Sequence, residues 1–82
     1  MGHDRDAILL EAKNRVADAQ ASRSKSYNIL RVEGQSAYED YLVSEISRLT
    51  ALVNSACETL EVVGPEKTKL LEHVLGALAG DP

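Results

Sequence analysis

Between Arg23 and Asn28 the chain reads RSKSYN. Guanidinium and ammonium groups give charge-assisted hydrogen bonds to an anion, hydroxyls add donors, and a tyrosine ring stacks on a nucleobase. Arg23, Ser24, Lys25, Ser26, Tyr27 and Asn28 are therefore the parts of a phosphate site set close together in sequence. The run has no glycine-rich cradle, however. On a regular helix six successive side chains point around the whole axis, so one chain cannot aim them all at one ligand. A solvated polar face is the plainer reading.

Other chemistry is scarcer. His3 and His73 are far apart and have no ligand spacing with Cys57, so no metal site is expected. Cys57 is the single cysteine of the chain, which excludes an internal disulfide; between Ala56 and Glu58 it reads as a small core residue, consistent with a reducing compartment. No G-x-S-x-G, H-E-x-x-H or Walker loop occurs. Glu39 and Asp40 form a carboxylate pair at a helix start, where the dipole favours them. Acid–base chemistry also needs a cleft that shifts a pKa, and a chain of 82 residues offers little cleft. The expectation is a protein that is not an enzyme, with no catalytic residues and no cofactor.

Composition narrows the class further. There is no Phe or Trp, and only three tyrosines accompany a core of Leu, Val, Ile and Ala. Aliphatics and alanines suit close-packed helices, whereas strands favour β-branched and aromatic residues. So thin a core gains from a second chain. The net charge of −4 is uneven, with four cations between Arg15 and Arg31 opposed only by Asp18. An acidic chain with one local basic stripe argues against nucleic acid and leaves room for an anionic small ligand or a protein partner. No apolar run has the length of a membrane span and no leader opens the chain, so a soluble, cytoplasmic protein is expected.

The elements that position these residues are helical throughout. Helix 1 is predicted over about 4–32, with Asp4 or Asp6 near its start. Leu9, Ala12, Val16, Ala19, Arg23, Ser26 and Leu30 keep a four–three spacing that a loop at SRSKS would destroy, though a break at Ser22–Ser26 is the main alternative. Helix 2 is predicted over about 37–63. Ser36 and Glu39 have the spacing of a capping box, and Leu42, Ile46, Leu49, Val53, Ala56, Leu60 and Val63 form a heptad seam. Gly64 suits a helix stop and Pro65 the first turn of the next helix. Helix 3, over 65–79, carries the stripe Leu70, Leu71, Val74, Leu75 and Leu78. Glu33–Ser36 is read as the connection of a hairpin.

The expected fold is all-α, in one domain: a long antiparallel helical hairpin plus a short C-terminal third helix, assembling as a homo-oligomer. Helices 1 and 2 would each reach about 40 Å and helix 3 only about 22 Å. The last helix then covers the half of the hairpin away from the turn and leaves residues 20–48 as a bare two-helix arm, on which Glu45 is the natural partner of Arg23. All three tyrosines lie there, which makes Arg23, Lys25, Tyr27, Arg31, Tyr38 and Tyr41 the candidate binding residues, since Tyr and Arg are enriched at recognition hot spots. Three functions fit. The leading one is a stoichiometric binding protein, acting as an adaptor, inhibitor or chaperone-like regulator. The others are an oligomer that sequesters a phosphate-bearing ligand such as a nucleotide between subunits, and a purely structural oligomerisation module.

Overall fold

The computed structural model describes residues 5–80. Three α-helices follow one another, α1 over Arg5–Glu33, α2 over Gln35–Leu60 and α3 over Pro65–Ala79, and no strand occurs among the described residues. Asp4 and His3 lie outside them. The helices form an elongated body measuring 49 × 18 × 16 Å.

α1 is unbroken through Ser22–Ser26. Two serines that weaken helix propensity are instead used as buried polar residues: Ser22 and Ser26 are both out of solvent. Ser26 Oγ donates to the carbonyl of Arg23 at 2.6 Å, so its polarity is satisfied inside the helix.

The hairpin turn is shorter than the sequence suggests. One residue, Gly34, joins the two long helices at φ 103° and ψ 178°, a region open essentially to glycine alone. Its N–H donates to the carbonyls of Ile29 and Leu30, each at 3.2 Å, and its carbonyl accepts from the N–H of Tyr38 at 3.1 Å. The same peptide thus closes α1 and opens α2. The capping box expected of Ser36 does not form, because Ser36 already lies inside α2. Glu39 accepts from Gln35 Nε2 at 2.8 Å instead.

The end of α2 also comes earlier than the glycine at position 64 implies. The helix stops at Leu60, and Glu61 takes the left-handed conformation at φ 60°. Its N–H reaches the carbonyl of Glu58 while that of Val62 reaches Cys57 at 2.9 Å. These paired bonds are a Schellman motif, whose companion is an apolar contact between the residue two past the helix and its last turn. Val62 and Cys57 both belong to the core, so Val62 takes the place expected of Val63, which is 75% exposed.

Ala19, Leu49, Val53, Cys57, Val62, Leu70, Val74 and Leu78 make the buried core, with Ile8, Ala12, Val16 and Leu42 packed against it. α2 buries Glu45, Leu49, Val53 and Cys57, each four residues on from the last. Steps of four turn the buried line about 40° each time around the helix. A straight seam with Ile46 inside it is therefore not what forms, and Ile46 is half exposed.

α3 reaches further up the hairpin than expected. Its last turn, at Leu75, Leu78 and Ala79, stands beside Arg23, Ser26, Leu42 and Ile46. Ser26, which lines the same space, is buried. The open arm is not residues 20–48 but the shorter tip beyond α3, from about Tyr27 through Gly34 to about Leu42.

Candidate functional site

At the end of α3 the groove between α1 and α2 is left vacant. There a cavity of about 160 Å³ is lined by Arg23, Ser26, Tyr27, Tyr38, Leu42, Ile46, Leu75, Leu78 and Ala79. Its floor is aliphatic. One wall carries Arg23, whose Nε donates to Tyr27 Oη at 3.0 Å and whose guanidinium carbon sits 5.2 Å from the centre of the Tyr27 ring. This contact combines a hydrogen bond with a cation–π attraction and fixes both side chains at the mouth of the cavity. Tyr27 is 48% exposed and Ile46 44%, and Leu30 and Val43 are exposed as well.

The opposite face of the arm is polar. Asp18, Ala21, Ser22, Lys25, Tyr41, Glu45 and Arg48 line a shallow open depression there. Lys25 Nζ lies 5.5 Å from the centre of the Tyr41 ring. Beneath it Glu45, only 8% exposed, accepts from Ser22 Oγ at 2.6 Å and from Arg48 Nη2 at 2.7 Å. Arg48 Nε adds a second bond at 3.1 Å to the other carboxylate oxygen, so the pair is bidentate. The Arg48 hydrogen bonds hold the Glu45 carboxyl below its ordinary range; burial opposes them and the Ser22 bond assists them. The same pair raises the pKa of Arg48. Glu45 is thus committed to Ser22 and Arg48, and the Arg23–Glu45 pair expected from the sequence does not form.

The six candidate residues do not converge. Arg23, Tyr27 and Tyr38 border the cavity beside α3, while Lys25 and Tyr41 stand on the polar face. Arg31 is exposed near the turn, where Nη2 donates to Asn28 Oδ1 at 2.7 Å. Ser24 and Asn28 are exposed and Ser26 is buried. RSKSYN is therefore divided over three directions, as helical geometry requires. The seam pattern marks Leu42 and Ile46 as apolar and the third helix's stripe marks Leu75 and Leu78, but nothing in the sequence says that these four meet as the walls of one cavity. That depends on where α3 stops.

Remaining chemistry stays separate. Cys57 is buried, and burial pushes its thiol pKa up, away from the thiolate form that reacts. His73 is exposed. No cluster of His, Cys, Asp and Glu able to hold a metal ion occurs among the described residues, and none of their helices is long and apolar enough to cross a membrane. Comparison of the chain with protein-family models, with curated proteins and with solved structures gives no match.

Proposed function

We propose that this chain is a small non-enzymatic binding protein that acts stoichiometrically by taking an apolar helical segment of another protein into the open end of its α1–α2 groove. The observation that supports this is the change of occupancy along one groove. α3 fills it as far as Leu78 and Ala79, and beyond that point Tyr27, Leu42 and Ile46 border an unfilled cavity. A groove that already packs one amphipathic helix has the width and the apolar lining for a second, in the manner of helix-in-groove recognition. The cavity, at about 160 Å³, is well below the roughly 300–1,000 Å³ of ordinary small-molecule sites. It suits one anchoring side chain, with Tyr27 and Arg23 as rim contacts. Regulator, inhibitor and adaptor are all consistent with this mode.

The test is capture by the immobilised chain with two matched controls, Ile46→Glu and Tyr27→Ala. Both positions are half exposed, so helical circular dichroism is expected to persist. A genuine partner is held by the native chain and lost by both variants; a protein retained equally by all three is not held through this groove.

A second reading, an assembly that holds a phosphate-bearing ligand between subunits, draws support from Lys25 over the Tyr41 ring beside Arg48. Calorimetry against a nucleotide panel tests it. Salt-sensitive heat lost in Lys25→Gln is the expected signature, and no heat with any nucleotide removes it.

A further inference from the structure

Formal charge separates the tip from the body. Between Tyr27 and Leu42 one cation, Arg31, stands against three anions, Glu33, Glu39 and Asp40, so the tip is net −2. The other described residues hold eight cations and eight anions and are neutral as a set. We propose that the helix received by the groove is a cationic amphipathic one. It seats one apolar side chain in the cavity at the end of α3 and presents lysine or arginine to the acidic tip about two turns away. This inference rests on the groove reading above and names the chemistry of its target.

Two of the carboxylates stand in register with the cavity. Seven residues are close to two helical turns, so side chains at that spacing share a face and lie about 10 Å apart along the axis. Glu33 follows Ser26 by seven residues on α1, and Glu39 precedes Ile46 by seven on α2. Ser26 and Ile46 both line the cavity, and both glutamates are exposed. From the cavity toward the turn, each wall of the groove therefore ends in a carboxylate.

The chain does not compensate this charge itself. In the body Arg15 pairs with Glu11 and Asp18, and Arg48 with Glu45. At the tip Glu39 takes a neutral donor, Gln35 Nε2, and Arg31 bonds to Asn28. Arg23, the cation at the cavity, is engaged at the opposite end. It bonds to Tyr27 and packs on the close of α3, where a Cβ at Gly80 would stand 2.6 Å from its Nε. Its charge there complements the carboxyl end of α3, which the helix dipole makes negative. The open groove thus has an apolar pocket at one end and unpaired carboxylates at the other. A target with an apolar anchor and a cation at that spacing gains attraction and one direction along the groove, whereas an acidic target meets like charge.

The experiment is fluorescence anisotropy of labelled helical model peptides with the full chain. Three peptides share a leucine anchor and differ seven residues on, where they carry lysine, glutamine or glutamate. A fourth keeps the lysine and replaces the anchor with alanine. At low salt the anchored lysine peptide should bind at least about tenfold more tightly than the glutamate peptide, with glutamine between them. High salt should narrow the gap. Glu33→Gln combined with Glu39→Gln should bring the lysine and glutamate peptides within about threefold of each other. Ile46→Asn changes no charge at a half-exposed position. It should weaken the lysine peptide at least about tenfold, and retained circular dichroism separates this from unfolding. Equal binding of the lysine and glutamate peptides overturns the proposal, as does binding of none. So does a chain that pairs with itself through Ile46 in sedimentation equilibrium and takes up no peptide, since the groove then belongs to a second copy. If the three anchored peptides bind equally and Ile46→Asn loses them all, this inference fails and the proposed function stands. If the lysine peptide binds as well without its anchor, or to Ile46→Asn, charge alone holds it and the groove reading fails too.

Discussion

The stretch of hairpin that α3 covers and the tip beyond it are made from the same two helices, yet different forces hold them. In the covered stretch Ala19, Leu49, Val53, Cys57 and Val74 are out of water, and three helices share one apolar core. At the tip two helices have only each other. Tyr27, Leu30 and Ile46 stay partly in solvent, and the order of the tip comes from the Gly34 turn and from polar contacts such as Arg23–Tyr27. A two-helix unit buries too little to be stable alone, so the tip borrows its order from the body. The region that contributes least to stability is the one left free to bind, as expected of sites drawn from the low-stability end of a fold.

The largest effect that could break this comparison is a truncation in the body. Leu49→Ala empties a site with no solvent exposure, and such changes cost about 2–5 kcal/mol. Tyr27→Ala at the tip should cost less than about 1 kcal/mol. Urea unfolding of both variants measures the ratio. Equal losses would mean that the tip is as firmly packed as the body.

Next in size is the turn. Gly34→Ala adds a methyl group that meets nothing, so any loss comes from the backbone at φ 103°. That region costs a non-glycine residue about 1–3 kcal/mol. The loss should concentrate at the tip: amide exchange should speed up near Ile29–Tyr38 and hardly change around Leu49–Val53. Uniform acceleration would show that the turn supports the whole hairpin equally.

The Glu45 cluster sits at the boundary between the two regions and carries a pH signature. Glu45 has a lower pKa folded than unfolded. Its stabilising contribution is therefore complete above the unfolded value, near 4.5, and is lost as the pH falls through the lower folded value. Glu45→Gln should remove that acid-side slope and cost about 1–2 kcal/mol at neutral pH, a range kept low because the Arg48 side chain is 47% exposed. Native and variant stability should draw together as the pH drops below 4; a gap that stays constant down to pH 2 would assign the slope to other groups.

Much of the covered stretch could be read from the sequence, and the tip could not. The stripe Leu70, Val74 and Leu78 is a local 3.6-residue pattern, and Pro65 and Gly80 bracket its helix, so everything needed lies within a few turns. The phase from Val16 to Leu30 likewise carries α1 across its serines. What failed depended on distant partners. Whether α2 stops at Leu60 or runs on toward Gly64 is decided by Val62 finding the core. The candidate site failed for the same reason: Leu75 and Ala79 join Tyr27 and Ile46 only because the third helix ends where it does.

The smallest predicted effect separates two serines that the sequence presents alike. Ser22 and Ser26 stand one turn apart on α1, and both are buried. Ser22 Oγ donates across the hairpin to Glu45 at 2.6 Å, whereas Ser26 Oγ donates back along its own helix to Arg23 at 2.6 Å. Ser22→Ala takes a donor from a desolvated carboxylate, and should cost about 1 kcal/mol. Ser26→Ala removes a bond that competes with the helix and substitutes a better helix former. The lost bond and the gained propensity, each about 0.5 kcal/mol, should nearly cancel. Combined with Glu45→Gln, the Ser22 change should lose much of its separate effect, because the two groups share one bond, while the Ser26 change should remain additive. If both serines couple to Glu45 equally, the boundary between body and tip lies beyond Ser26, and the open groove is shorter than the cavity at the end of α3 indicates.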